Sequence, residues 1–436
     1  MSFKIGLEIH VALPTKTKLF CSCNAYNEQE PNISICPICM GFPGSKPMLN
    51  KKALELAKSV ANALNSKINN QISFERKIYF YPDLPKSYQI TQLEYPIAND
   101  GYIELLDLNK KINIRRIQLE EDPAKIIHEE EFSLIDFNRS GRPLLEIVTE
   151  PDILNLDELK EFLNELKSIL YYLGIDINIE LKVDLNISYD SERVEIKNIT
   201  GTRNIINAAI YEMKRQTKIK ESGHQIHKQT RSYDENQVIT IALREKETEE
   251  EYGFIYESDL SKYDIKNIEY IQPVFASKIA KEISLKHNAN EELIREQIMF
   301  DSSALKLINL FSNKYPINLI VNAIQILKKY NKILDNNKFE KLINLISQNI
   351  LINQDLLEKI EQNNEINSTK PIDQKLIDTA INNLINKNQK LLDDYEKNNK
   401  VFNFIIGQIV KEYNTNPKYV SERLNELLSK TIKKSK

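Results

Sequence analysis

Apolar and polar side chains alternate from the start of the chain. Ile5, Leu7, Ile9 and Val11 interleave with Gly6, Glu8 and His10. A period of two predicts a strand with one face in a core and the other polar. Segments 113–119, 143–149 and 181–187 are further predicted strands. Segment 193–197 can fold back on the last of these through a turn at Asp190-Ser191. Elsewhere the period lengthens. Asn50 is a predicted N-cap, and Ala53, Leu56, Ala57, Val60 and Leu64 then form one apolar helical face. Segment 156–173 has the same spacing and closes at Gly174.

Beyond residue 275 or so, strand alternation largely stops. Segments 276–287, 291–299, 318–330 and 339–350 are predicted as short amphipathic helices. Segment 361–371 is polar and ends in Pro371, which marks a linker. Helical spacing resumes at 374–386, 401–413 and 418–430. These patterns predict an α+β domain over 1–275, a helical domain over 276–370 and a small all-α tail over 371–436. No internal repeat is visible.

Composition changes this picture little. The 436 residues are 28% charged and 41% hydrophobic, with a formal net charge of −3, an ordinary balance for a soluble protein. Such a charge neither requires nor excludes a nucleic-acid partner, because basic residues can cluster on one surface. The tail carries Lys411, Lys418, Arg423, Lys430, Lys433 and Lys434. Taken by themselves, a solvated helix face explains them better than RNA contact does. No apolar run approaches the ~18 residues that suggest a membrane span. The first ten residues are broken by charge, unlike a secretory signal. The expected location is a bacterial cytoplasm or an organelle matrix, with no membrane partner.

The four cysteines, Cys21, Cys23, Cys36 and Cys39, form a C-x-C and a C-x-x-C pair separated by a short loop. That spacing suits a tetrahedral Zn²⁺ site held by thiolates, and predicts a zinc-binding insertion at 21–39. Disulfides fit poorly with an expected cytosolic setting. Four thiolate ligands leave no open position, so this zinc is structural, and no cysteine is left as a nucleophile.

Glu8 and His10 lie two apart, on one strand face, where a carboxylate and an imidazole suit metal or acid–base chemistry. On this pattern alone a plain solvent-facing strand is the stronger reading, and Glu146 changes the weighing. Glu146 lies within Leu144-Leu-Glu-Ile-Val148, where an isolated charge is costly. It needs a cation, which a structural arginine such as Arg139 or Arg142 could also supply. Leu119-Glu-Glu-Asp122 adds acids at a strand end. Oxygen-rich sites of this kind suit Mg²⁺ completed by nucleotide phosphates. Neither a P-loop nor a G-x-G-x-x-G run is present.

Several motifs, in order, resemble the B subunits of the tRNA-dependent aspartyl/glutamyl amidotransferases. They are Gly6-Leu-Glu-Ile-His-Val11, Cys36-Pro-Ile-Cys-Met-Gly-Phe-Pro-Gly44, Tyr79-Phe-Tyr-Pro-Asp-Leu-Pro-Lys86 with Tyr88-Gln-Ile90, Leu119-Glu-Glu-Asp122, and Asn138-Arg-Ser-Gly-Arg-Pro-Leu-Leu-Glu-Ile-Val148. Val183-Asp-Leu-Asn-Ile-Ser188, Val194-Glu-Ile-Lys-Asn198 and Phe402-Asn-Phe-Ile-Ile-Gly-Gln-Ile-Val410 continue the series. The resemblance implies an N-terminal cradle with an antiparallel sheet, related to the glutamine synthetase/guanidino kinase fold. It implies ATP-dependent phosphorylation of the side-chain carboxylate of Glu-tRNA(Gln) or Asp-tRNA(Asn), then amide formation. Ammonia would come from an amidase-type glutaminase A subunit, with a C subunit completing a heterotrimer. Glu8, His10, Glu121 and Glu146 would line a Mg²⁺ site. Strand period alone places Glu120, with Gln118, on the polar face, so Glu120 and Glu121 both stay candidates. Lys86, Arg139 and Arg142 are candidates for phosphates or the tRNA acceptor end. The family's tail contacts tRNA. The chain lacks a Gly- and Ser-rich glutaminase signature, so a partner must make the ammonia. Two segments depart from the family pattern: Pro123-Ala-Lys125 and Tyr252-Gly-Phe-Ile-Tyr-Glu-Ser-Asp-Leu-Ser-Lys262. They raise the alternative of a tRNA-binding scaffold without chemistry.

Overall fold

The structure, a computed structural model, describes residues 3–26, 30–175, 181–189, 192–243, 253–362, 374–387, 399–413 and 415–434. The fold is α+β. The chain divides into two compact units, Met1–Lys278 and Ile279–Lys436.

The first unit is organised by β1 (Phe3–Ala12), whose Ile5, Leu7, Ile9 and Val11 are all buried. It lies near the middle of a nine-stranded sheet. On one side of β1 are β10 (Pro143–Thr149), β7 (Lys110–Glu121), β6 (Ala98–Leu105) and β2 (Lys67–Ile68). On the other are β11 (Lys182–Tyr189), β12 (Val194–Thr200), β13 (Gln229–Asp234) and β14 (Ile239–Ala242). Three helices join its core: α1 (Lys51–Ala63), α2 (Leu156–Tyr172) and α3 (Thr202–Glu221). Asn50 caps α1 by accepting from the Ala53 N–H, and Asn155 caps α2 from the N–H groups of Asp157 and Glu158. Gly174, at φ +76°, follows the Leu173 C-cap of α2.

The expected antiparallel sheet is mixed. β12 and β13 run parallel, with α3 as the crossover between them. The apolar period of α3 is interrupted because its buried face carries Glu212 and Gln216. Glu212, fully buried, accepts from Arg215, Gln216 and Thr240. Among the described residues, three small sheets complete the unit: β15 (Gly253–Tyr256), β4 (Glu75–Ile78) and β5 (Tyr88–Thr91); β16 (Tyr263–Asp264) with β3 (Gln71–Ile72); and β8 (Lys125–His128) with β9 (Ser133–Asp136).

α4 (Ala276–His287) begins in the first unit. The second unit is helical: α5 (Glu291–Ile298), α6 (Ser302–Phe311), α7 (Ile317–Lys329), α8 (Asn336–Ser347), α9 (Gln354–Glu361), α10 (Gln374–Lys387), α11 (Asn399–Tyr413) and α12 (Pro417–Lys434). The last three share their own apolar cluster around Ile377, Ile381, Ile405, Ile409, Val420 and Leu424. A bridge between Ile350 and Thr415 ties that cluster to the residues after α8. The turn at Asp190-Ser191 and most of the linker at 361–371 lie outside the described residues. No described helix is long and apolar enough to cross a membrane.

Candidate functional site

Register converts β1's alternation into a polar surface. Paired residues of adjacent strands share a face, so Gln118, Glu146, His10 and Lys182 form one row across β7, β10, β1 and β11. Arg116, Val148, Glu8 and Asp184 form the next row. Glu120 stands two residues beyond Gln118 on the same face. The opposite face carries the core residues Leu119, Leu145, Leu7 and Leu185.

At the centre, one ligand atom each of His10, Glu120 and Glu146 lies within 4.8 Å of the others. His10 Nε2 is 3.3 Å from Glu120 Oε1. Gln118 Nε2 donates to Glu146, and Thr91 donates to Glu120. Glu120 and Glu146 are buried. Burial works against a charged His10, yet the hydrogen bond and charge of Glu120, joined by Glu146 and Asp184, raise it to about 9. Burial and the Glu120 charge push Glu146 up to about 7. Burial opposes ionisation of Glu120 too, but the His10 contact outweighs it and lowers its pKa. The site thus crowds negative charge in a dry place and leaves it undercompensated. That is where a hard divalent cation gains most. The donor set, two carboxylates and an imidazole, fits such a cation.

Beside it, Glu8, Asp184 and Glu195 also bring oxygens within 4.8 Å of one another. Lys197 bridges Asp184 (3.0 Å) and Glu195 (2.7 Å). Asn198, at φ +59°, donates its N–H to Asp184 where the β11–β12 register shifts. Asp184 and Glu195 were not among the residues expected from sequence. The signal was there, since Val183-Asp-Leu-Asn-Ile187 alternates as β1 does.

The other expected residues stand apart from this cluster. Glu121, expected from the resemblance as a metal ligand, is in a buried ion pair with Lys86 at 2.5 Å. It also accepts from the Ile90 N–H. Glu120 takes the place beside His10, because strand parity turns 118 and 120 to one face and 121 away. Lys86, expected at phosphates or the tRNA acceptor end, is committed to Glu121. Gly41 (φ +69°) is packed so closely that an added Cβ would sit 2.6 Å from Lys86 Cγ. Arg139 donates to the carbonyls of Pro123 and Ala124 and lies 3.6 Å from Asp122. Arg142 donates to the Ala25 carbonyl and stacks over Tyr26. Neither arginine pairs with Glu146. These cations brace the loops around Asp122.

The cysteine sulfurs of Cys21, Cys23, Cys36 and Cys39 also lie within 4.8 Å of one another, and no disulfide joins them. The Cys36 N–H donates to Cys39 Sγ. The fully buried Lys18 ammonium stands 3.8 Å from Cys39 Sγ and donates to the Phe137 carbonyl. The Cys21 hydrogen bond, against burial and with help from Lys18, lowers Cys39 to about 5. Four converging sulfurs with a nearby cation fit a closed tetrahedral zinc site.

Comparison with known proteins now decides the family. Residues 3–271 match the family described as the GatB/GatE catalytic domain. The chain belongs to that family. A relative from Caldicellulosiruptor saccharolyticus is 35% identical over 98% of both chains. One from Saccharolobus solfataricus is 36% identical over 94% of this chain and 95% of its own. One from Clostridium tetani is 35% identical over 98% of each. All three are named as the B subunit of an aspartyl/glutamyl-tRNA(Asn/Gln) amidotransferase. The match to the GatB/GatE family covers the whole nine-stranded sheet, so every residue of the polar face falls within it.

Proposed function

We propose that this chain is the carboxylate-activating subunit of an amidotransferase that converts Glu-tRNA(Gln), Asp-tRNA(Asn) or both to the amide. The carrying observation is the convergence of His10, Glu120 and Glu146, from strands β1, β7 and β10, on one sheet face. Near full-length similarity to amidotransferase B subunits supports the same reading.

The chemistry requires activation because a carboxylate has no leaving group. Attack of a carboxylate oxygen on the γ-phosphorus of ATP breaks the bond to the bridging oxygen and gives an acyl phosphate and ADP. Ammonia then adds to the acyl carbon, inorganic phosphate leaves, and the amide remains after loss of a proton. Magnesium held by His10, Glu120 and Glu146 would neutralise charge on the transferring phosphoryl group. The chain's part is positioning. Gln118 fixes Glu146, His10 fixes Glu120, and the rigid sheet below holds all of them. Glu8 and Asp184 are placed to position a second cation or an ammonium. Cys21, Cys23, Cys36 and Cys39 hold structural zinc.

Partners follow from what the chain must receive: ammonia from a glutaminase A subunit, a C subunit, and mischarged tRNA. In the tail, Arg423 is paired with Asp378 and Glu426, which leaves RNA contact to other basic residues. The test is an amidation assay of the purified complex with each mischarged tRNA in turn. ATP turnover dependent on that tRNA is expected. Tight tRNA binding with no ATP hydrolysis above background would instead establish the scaffold reading.

A further inference from the structure

The proposed reaction brings two anions together on an acidic surface: a nucleotide phosphate and a side-chain carboxylate. The polar face carries Glu8, Glu120, Glu146, Asp184 and Glu195. Lys197 is committed to two of these acids and His10 to Glu120. Lys86, Arg139 and Arg142 are held in their own loops.

Two cations on this face have no such commitment among the described residues. Arg116 lies in the row next to Gln118, one strand from Val148 and diagonal to Glu146. Its Nε is buried without a hydrogen-bond partner. An unpaired buried donor is a standing cost, and a guanidinium offers five donors in a planar fork. Arg116 is close enough to Glu146 for its charge to oppose that residue's upward pKa shift. Lys182 stands across β1, directly opposite His10. Its ammonium has no ion pair or hydrogen bond among the described residues, and its charge reaches Asp122. The two residues are three strand spacings apart, about 14 Å between backbones. Their long side chains therefore flank the His10–Glu146 pair from opposite sides.

We propose that Arg116 and Lys182 are the oxyanion-binding residues of this site, each holding one of the two anionic reactants over the His10–Glu120–Glu146 cluster. The proposal rests on the function put forward above. The shared ligand chemistry is an oxyanion, and kinetics assign the phosphate to one residue and the carboxylate to the other. A fork suits bidentate contact with either group, whereas an ammonium acts as a point charge.

The experiment compares the wild-type complex with Arg116→Met and Lys182→Met, varying ATP and mischarged tRNA separately. Each variant is expected to lose about 10- to 100-fold in kcat/KM for one reactant, mainly through KM. Arg116→Lys and Lys182→Arg should recover part of that loss, which a purely structural role would not predict. Should either Met variant fold poorly, the same split is read from the conservative pair. A variant within about twofold of wild type for both reactants removes that residue from the proposal. Calorimetric binding of a non-hydrolysable ATP analogue runs alongside. If the wild type amidates nothing, the function fails. The oxyanion site still stands if the analogue binds wild type and is weakened by at least one substitution. It falls if the analogue binds both Met variants as tightly as wild type, or does not bind the wild type at all.

Discussion

The cysteine cluster draws its four sulfurs from one short stretch, Cys21 to Cys39, whereas His10, Glu120 and Glu146 come from three strands far apart in the chain. The first is a local device. Its ligand spacing and Gly41 are written next to one another. The second exists only when β1, β10 and β7 pair in register. A local site declares its chemistry in its spacing. A non-local one declares only that its residues sit on a polar face, and leaves open what they meet there.

Breaking the non-local cluster should have the largest effect. Glu146→Gln or His10→Ala is expected to reduce amidation by about 1,000-fold or more while tRNA binding stays near wild type, because preorganised charge is lost. The amidation assay and a filter-binding titration of the same preparation check both halves. Near-normal activity in both variants would end the catalytic assignment.

Next comes the buried brace between the two sites. Lys86→Met leaves Glu121 charged and unpaired in a dry place. It should cost about 3–5 kcal/mol of stability by urea denaturation. Lys86→Met with Glu121→Gln should recover much of that loss. If the single substitution proves neutral, the ion pair is not a structural element.

The local site is sharpened by measuring its metal content. Mass spectrometry should find close to one zinc per chain, and Cys39→Ser should lower zinc content and melting temperature without removing His10 from its cluster. A preparation with no zinc and full activity would reject the four-thiolate site.

The smallest effect concerns pH in the metal-free protein. Folding raises Glu146 from 4.5 to about 7 and His10 from 6.5 to about 9. Both groups bind protons more tightly when folded. The stability linked to Glu146 is therefore complete below 4.5 and lost by about 7, and that linked to His10 is lost between 6.5 and about 9. Unfolding free energy in chelator should fall as pH rises across this span. Glu146→Gln should flatten the lower part of the curve. A flat wild-type profile would show that the two groups are not strained as described.

Much of the fold was legible where one physical rule dominated. β1, β10, α1 and α2 follow from alternation or helical period with clear caps. α3 was not legible, because a buried Glu212 network replaces apolar residues on its inner face. α9 was not expected, although Leu356, Leu357 and Ile360 have the helical spacing that reveals the equally short α5. In the site, alternation placed Glu120 beside Gln118, and the structure puts both on that face. Motif position and charge made Lys86, Arg139 and Arg142 look available. Only the folded chain brings to them the carbonyls and the carboxylate that occupy them. Arg116 was overlooked for the converse reason: nothing in its sequence neighbourhood signals that its donors are left unmatched.

The sheet has one further consequence for how this chain tolerates change. Even-numbered residues of β1 face the acidic cluster and odd-numbered ones face the helices. Inserting or deleting a single residue there would invert both sets at once, driving Glu8 and His10 inward and Leu7 and Ile9 into the open. Evolution and engineering alike can therefore edit β1 by substitution, but by length only in steps of two.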